Sequence, residues 1–228
     1  MEKKYILFDL DGTLTDSKEG ITKSVQYALK SVGVEEPDID RLQCYIGPPL
    51  DVSLKKFHGI EGEEAKKAIE KYRERYKDKG IFENEVIDGI IPCLEKLCKA
   101  GKVLAVATCK PEVFAVRIIE HFGLSKYFTV ITGSELDGTR KFKNEVIEEV
   151  FARLMNNSDT DIKTMAELKA DALMVGDRNN DIFGAHEAGI EVIGVRFGYA
   201  EENELEEACA DYIADTPAVV AELILSED

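Results

Sequence analysis

No stretch of this chain approaches the roughly 20 consecutive apolar residues that a membrane-spanning helix requires. The opening MEKKYILFDLDG turns to charge too soon for the apolar core of an export signal. Both absences lead to the expectation of a cytoplasmic protein with no membrane partner. Cysteine is scarce and unpatterned: Cys44, Cys93, Cys98, Cys109 and Cys209 show neither CxxC pairing nor zinc-type spacing, which argues against a disulfide framework and predicts reduced thiols. The three histidines, His58, His121 and His186, lack ligand spacing and read as helix-surface or helix-end residues. Cations are short as well. Against 45 Asp and Glu stand 29 Lys and Arg, a formal net charge of −16, which argues against a nucleic-acid partner because phosphate backbones are held by clustered Lys and Arg. A chain this negative that binds an anion needs local cations, a metal ion or a few placed Lys, to reverse the field at the site. There is no internal repeat and no low-complexity tract, and the acidic stretch AEENELEEACAD reads as a solvated helix face.

What is present suits a globular protein. With 228 residues and 44% hydrophobic content, the chain can bury a core as one large domain or as one domain plus a smaller insert. Short apolar runs recur at KYILFD (4–9), KVLAVAT (102–108), FTVIT (128–132), ALMVGD (172–177) and EVIGVRF (191–197). Their continuous apolar character predicts parallel strands covered on both faces. Helical patterns between them, such as IPCLEKLCKAG, PEVFAVRIIEHFG and NDIFGAHEAG, each close near a glycine that can cap the helix. Strand, helix, strand alternation predicts an α/β fold with a Rossmann-like, doubly wound parallel sheet. Residues 18–88 break the alternation with helical patterns only, which predicts a helical domain inserted into a discontinuous α/β domain of residues 1–17 and 89–228. Gly47-Pro48-Pro49 interrupts that insert, either as a loop toward the active site or as a plain interhelical turn. The polar stretch 156–170 exceeds a usual αβ connection and reads as a surface excursion.

In an open α/β sheet, ligands gather at the carboxyl ends of the strands, so the strand ends carry the chemistry. The first run ends in FDLDGT, with Asp9 and Asp11 two positions apart, on one side of a strand. Like charges about 4 Å apart repel by roughly 4 kcal/mol at an effective dielectric near 20, so such a pair calls for a proton, a cation or a cage of donors. The second run ends in Thr108-Cys109-Lys110, and the fourth in Gly176-Asp177 with Asp181 at i+4. Between the third run and its helix lies DGTRKFKNEV, which holds Arg140, Lys141 and Lys143. Carboxylates, a hydroxyl and basic side chains in this arrangement match Mg²⁺ plus phosphate. Mg²⁺ takes hard oxygens, typically one or two carboxylates with water and substrate phosphate, and Asp9 and Asp177 suit it. Thr108 can donate to a phosphate oxygen and a Lys can supply a point charge. Asp9 is then placed to attack phosphorus as a nucleophile, and Asp11 to protonate the leaving oxygen and later deprotonate water. Lys110 either reaches the phosphate side of the site or faces solvent, and Arg178 reads as structural. A DxD or a GDxxxD alone is weak, because acids are common in turns and at helix N-termini. The ordered set, each member after its own apolar run, is a far stronger signal.

This ordered set resembles the haloacid dehalogenase superfamily in its phosphatase branch. FDLDGT is similar to the first family motif, VATCK to the second, the basic segment to the third and VGDRNND to the fourth. The resemblance implies a core sheet ordered 5-4-1-2-3 and a helical cap inserted after the first motif, closing over the site to control water and set specificity. It implies Asp9 as nucleophile, Asp11 as acid/base, Thr108, the Cys109 amide and Lys143 as phosphate ligands, and a metal site from Asp9, the Asp11 carbonyl and Asp177, with Asp181 acting through a metal-bound water. Lys141 also fits a basic third motif. The similarity of DGTRKFKNEVI to a DGTR-x-x-K-x-x-VI pattern favours Lys143. The stretches YIGPPL, ATCKPEVFA, ELDGTR and VGDR are similar to members described as 5′-nucleotidases or phosphoglycolate phosphatases, where Ser commonly stands at the position of Cys109. A small buried thiol there is expected to be inert.

The expectation is therefore a magnesium-dependent phosphomonoesterase acting, as a monomer or homodimer, on a small phosphorylated metabolite such as a nucleoside monophosphate or 2-phosphoglycolate. A sugar phosphomutase shares the aspartyl-phosphate, and dehalogenation is disfavoured because it needs neither a metal nor an acid at Asp11. A phospho-aspartate signalling receiver also joins an aspartate, a hydroxyl, Lys and Mg²⁺, but it is shorter and carries its aspartate on a later strand.

Overall fold

The computed structural model describes residues 3–157 and 164–226, so part of the polar stretch 156–170 lies outside the described residues. The chain divides into two compact units, one of residues 1–14 and 86–228 and one of residues 15–85.

The first unit is built on β1 (Tyr5–Phe8), β4 (Val103–Pro111), β5 (Phe128–Ser134), β6 (Ala172–Gly176), β7 (Glu191–Val195) and β8 (Tyr212–Ala214), which form one sheet in the order β5-β4-β1-β6-β7-β8. Every pairing in it is parallel. The five apolar runs thus stand in the expected order, with β8 added beyond the fifth. This sixth strand is missed by periodicity because it is three residues long and flanked by acids.

Both faces of the sheet are covered, as continuous apolar runs require. Leu7, Ala105, Ala107, Met174 and Val192 join one cluster with Val146, Ile147, Val150 and Phe151 of α6 (Lys143–Met155) and with Ile182 and Ala185 of α8 (Asn179–Ala188). The alternate residues Ile6, Phe8, Leu104, Val106, Leu173, Val175 and Ile193 point the other way, and none is more than 1% exposed. Each such side chain contributes roughly 1.5–3 kcal/mol by burial. The unit is completed by α4 (Ile90–Lys99), α5 (Glu112–His121), α7 (Met165–Ala170), α9 (Glu204–Glu207) and α10 (Pro217–Leu225). Helix α7 gives regular structure to the end of the stretch read as a surface excursion, with the Thr164 hydroxyl accepting from Glu167 N–H as its N-cap.

Register places the site. Phe8 is level with Val106 on one side and Val175 on the other. The carboxyl ends of β1 and β6 therefore come level beside the far half of β4, and Asp9 N–H still donates to Val175 O at 2.9 Å.

The second unit holds α1 (Lys18–Ser31), a 3-10 turn over Ile39–Tyr45, α2 (Leu50–His58) and α3 (Gly62–Tyr76). Helix α1 packs on α3. Arg75 of α3 grips Glu83 through both nitrogens, at 2.7 and 2.9 Å, and donates to Ser24 of α1 at 3.1 Å. Two residues at each crossing between the units, β2 (Thr15–Asp16) and β3 (Glu85–Val86), pair as a short ribbon. Such brief strands carry no periodic signal, and they take up the polar stretches TDSK and NEVIDG.

Candidate active site

Asp9 and Asp11 continue directly from β1, and both are buried, at 2% and 6% exposure. Between them and Asp177 the backbone comes unusually close. Gly12 has φ +81°, and a Cβ there would collide with the Asp177 carboxylate, so only glycine lets the turn after Asp11 pass. Asp177 follows β6 and is fully buried. Its Oδ2 accepts from Tyr199 N–H at 2.7 Å and its Oδ1 from the Thr13 hydroxyl at 3.3 Å. Asp181 lies in the first turn of α8, where its Oδ2 accepts from Arg178 N–H at 3.0 Å. The helix N-terminus thus holds one oxygen of Asp181 and leaves Oδ1 for the interior.

One oxygen from each of Asp9, Asp177 and Asp181 lies within 4.8 Å of the other two. Into this cluster Lys143, the first residue of α6, extends its ammonium group: 2.9 Å from Asp9 Oδ1, 2.7 Å from Asp181 Oδ1, and donating to Ala107 O at 2.8 Å. The Lys143 side chain is 1% exposed. Lys141 instead lies over the ring of its neighbour Phe142, so of the two basic candidates Lys143 is the one among the carboxylates. Arg140, with φ +55°, donates to Gly133 O and is paired with Glu112 and Glu135 outside the cluster.

The electrostatics follow from this burial. Desolvation acts against the Lys143 ammonium, but Asp181 and Asp9 more than offset it and raise its pKa. Burial, then repulsion from Asp181 and Asp9, pushes the Asp177 carboxyl well above the usual range. Burial pushes Asp181 up to about 6, with Lys143 opposing. Three buried carboxylates that strain each other's charge, with hard oxygens facing one another, fit a divalent cation of the magnesium type. Lys143 alone supplies only part of the compensating charge.

Thr108 is buried at the bend of β4, and its hydroxyl oxygen accepts from Lys110 N–H at 3.2 Å. Burial pushes the neighbouring Cys109 thiol up to about 12, as expected of an inert sulfur. All five cysteines are free. Lys110, read as facing either phosphate or solvent, is buried with its Nζ 2.7 Å from Asp11 Oδ2. Arg178 does serve structure: its Nε donates at 2.9 Å to Glu204 Oε1, which also accepts from Asn179 N–H at 2.8 Å. Thr13, Tyr199 and Glu204 escape sequence reasoning. Nothing in FGYAEENE marks a backbone amide as the partner of Asp177.

The histidines stand apart from the cluster. His58 Nδ1 lies 2.6 Å from the Tyr45 hydroxyl, His186 Nε2 is 3.0 Å from Asp211, and the His121 ring meets Phe122 edge-on. Among the described residues no helix is long and apolar enough to cross a membrane.

Residues 6–195 match the family described as haloacid dehalogenase-like hydrolase. A 5′-nucleotidase of Pseudomonas aeruginosa is 45% identical over 92% of both chains. The tyrosine-protein kinase PtkA of Mycobacterium tuberculosis is 39% identical over 95% of this chain and 67% of its own. A phosphoglycolate phosphatase of Agrobacterium fabrum is 30% identical over 96% of this chain and 93% of its own. Among solved structures, a predicted phosphatase from Clostridium acetobutylicum superposes with TM-score 0.91 at 42% identity, covering 99% of each chain.

Proposed function

The chain belongs to the haloacid dehalogenase-like hydrolases and is an enzyme of their phosphatase type, and from that membership we propose that it hydrolyses a small phosphomonoester through an aspartyl-phosphate on Asp9. The observation that carries this reading is the convergence on Asp9 of Lys143, Asp177 and Asp181. Such a convergence suits phosphoryl transfer, which depends on positioning and charge neutralisation more than on covalent chemistry.

In this reading Asp9, Asp177 and the Asp11 carbonyl would hold magnesium, with Asp181 behind them, and that ion would supply the charge neutralisation that phosphate needs in a protein of net charge −16. The Asp9 carboxylate attacks phosphorus, and the bond to the leaving oxygen breaks as Asp11 gives that oxygen a proton. Thr108 and the Cys109 amide donate to non-bridging oxygens, and the Lys143 ammonium faces a third. Water then attacks the aspartyl-phosphate, Asp11 takes its proton, and inorganic phosphate leaves.

The relative named 5′-nucleotidase, at 45% identity, favours a nucleoside monophosphate, with 2-phosphoglycolate second. The relative named a tyrosine kinase supports a second reading, transfer from ATP to a tyrosine. A phosphate-release screen with magnesium decides among them, across nucleoside monophosphates, phosphoglycolate and sugar phosphates, with ATP plus a tyrosine peptide as a further arm. Phosphate release from a monoester, abolished by EDTA and by Asp9→Asn and nearly abolished by Asp11→Asn, is expected. An isomerised sugar phosphate without release, or a labelled peptide, would replace hydrolysis by mutase or kinase chemistry.

A further inference from the structure

Lys110 has no part in the reaction as proposed, yet it is one of the most carefully placed cations in the protein. Its Nζ lies 2.7 Å from Asp11 Oδ2, and the two side chains are only 5% and 8% exposed. Asp11 Oδ1, by contrast, is buried and makes no hydrogen bond. The two oxygens of this carboxyl are therefore unlike: an ammonium group holds one, and the other is left for something else.

The backbone that aims Lys110 is irregular. The register between β4 and β5 shifts between Ala107 and Pro111. Within that stretch the Thr108 hydroxyl takes the Lys110 N–H at 3.2 Å, and the Ser134 hydroxyl donates to Cys109 O at 2.7 Å. Gly133 passes so close to the Lys110 carbonyl that a Cβ would collide with it. In a regular strand Lys110 would share a face with Thr108. A local register shift can re-aim side chains, and Lys110, inside this one, lies against Asp11. A buried ammonium–carboxylate pair seldom adds stability over well-packed apolar residues of the same size, because both charges are taken out of water. Its presence at the acid/base residue points to a role in the chemistry.

We infer that Lys110 is a positioning residue for proton transfer: it fixes the Asp11 carboxyl through Oδ2 so that Oδ1 faces the leaving-group oxygen. The inference rests on Asp11 acting as acid and base. When the bond from phosphorus to the leaving oxygen breaks, its electron pair stays on that oxygen, which takes the proton from Oδ1. When water attacks the aspartyl-phosphate, Oδ1 takes a proton from the water as the bond from phosphorus to Asp9 breaks.

Ring-substituted phenyl phosphates separate this role from binding or packing. p-Nitrophenolate leaves with little help from an acid, whereas phenolate needs the proton. kcat/KM with magnesium is measured for the parent, Lys110→Met and Lys110→Gln. Lys110→Met is expected to lose at least about tenfold more on phenyl phosphate than on p-nitrophenyl phosphate, within the ~10²–10⁴ that positioned proton transfer contributes. Lys110→Gln, which keeps a donor for Oδ2, is expected to narrow that gap. Both esters are measured on one preparation, so a fraction of unfolded protein cancels from the ratio. Equal losses on the two esters in both variants overturn the positioning role. Failure of the parent to release phosphate from either ester overturns the phosphatase reading beneath it, and the inference with it.

Discussion

Lys143 concentrates the opposing forces of the site in one side chain. Burial acts against its charge, and the carboxylates of Asp9 and Asp181 hold that charge in place. Removing the ammonium leaves the acids buried without their cation, and breaking a buried pair in this way costs about 3–5 kcal/mol. Lys143→Met is therefore expected to lower stability by that order in urea unfolding without metal, and millimolar magnesium is expected to restore part of the loss. An unchanged unfolding midpoint would mean that the carboxylates are neutral in the resting protein. At this scale the sequence was informative where spacing sets direction. Asp9 and Asp11 directly follow β1, and Asp177 directly precedes the helix start that holds Asp181. It said little about Lys110, because its partner Asp11 follows a different strand, distant in sequence.

The helix start at α8 shows how one element holds a buried acid of the site. Asp181 takes the Arg178 N–H, while Glu204, brought from α9, takes both Arg178 Nε and the Asn179 N–H. Burial would raise the Glu204 carboxyl, but the bonds from Arg178, Glu201 and Asn179 outweigh it and hold it below its ordinary range. A depressed folded pKa stabilises the protein above the unfolded value of about 4.3, and that contribution is lost as pH falls through the folded value. Glu204→Gln is expected to be less stable than the parent at neutral pH, with the difference closing on acidification, as followed by thermal melts across pH. A difference that stays constant into acid would show that Glu204 acts by packing rather than by charge. The element itself was legible as a helix in NDIFGAHEAG. Its clamp was not, because AEENELEEACAD has the composition of any solvated acidic face.

Over the whole molecule, a net charge of −16 surrounds a site built to take an anion. Substrate phosphate meets repulsion at long range and attraction only near Lys143 and the carboxylate cluster. Raising ionic strength from ~0.01 to ~0.15 M shortens the screening length from about 30 to about 8 Å. This weakens the distant repulsion more than the buried contacts. kcat/KM for a phosphomonoester is expected to rise a few-fold over that range at fixed free magnesium, measured by initial rates in KCl. A fall would mean that local cations already dominate the approach.

The sequence by itself determined the α/β class and the five long strands, because continuous apolar runs are local patterns, while the order of those strands in the sheet was implied by the family resemblance. Tertiary structure alone decided that β8 extends the sheet and that Lys110 pairs with Asp11, and it set Lys143, already favoured by the family pattern, among the carboxylates. It also decided that Tyr199 and Thr13 hold Asp177. Each of these depends on segments far apart in the chain being brought level by the register of a parallel sheet, and register is a property of paired strands that no single run of residues contains.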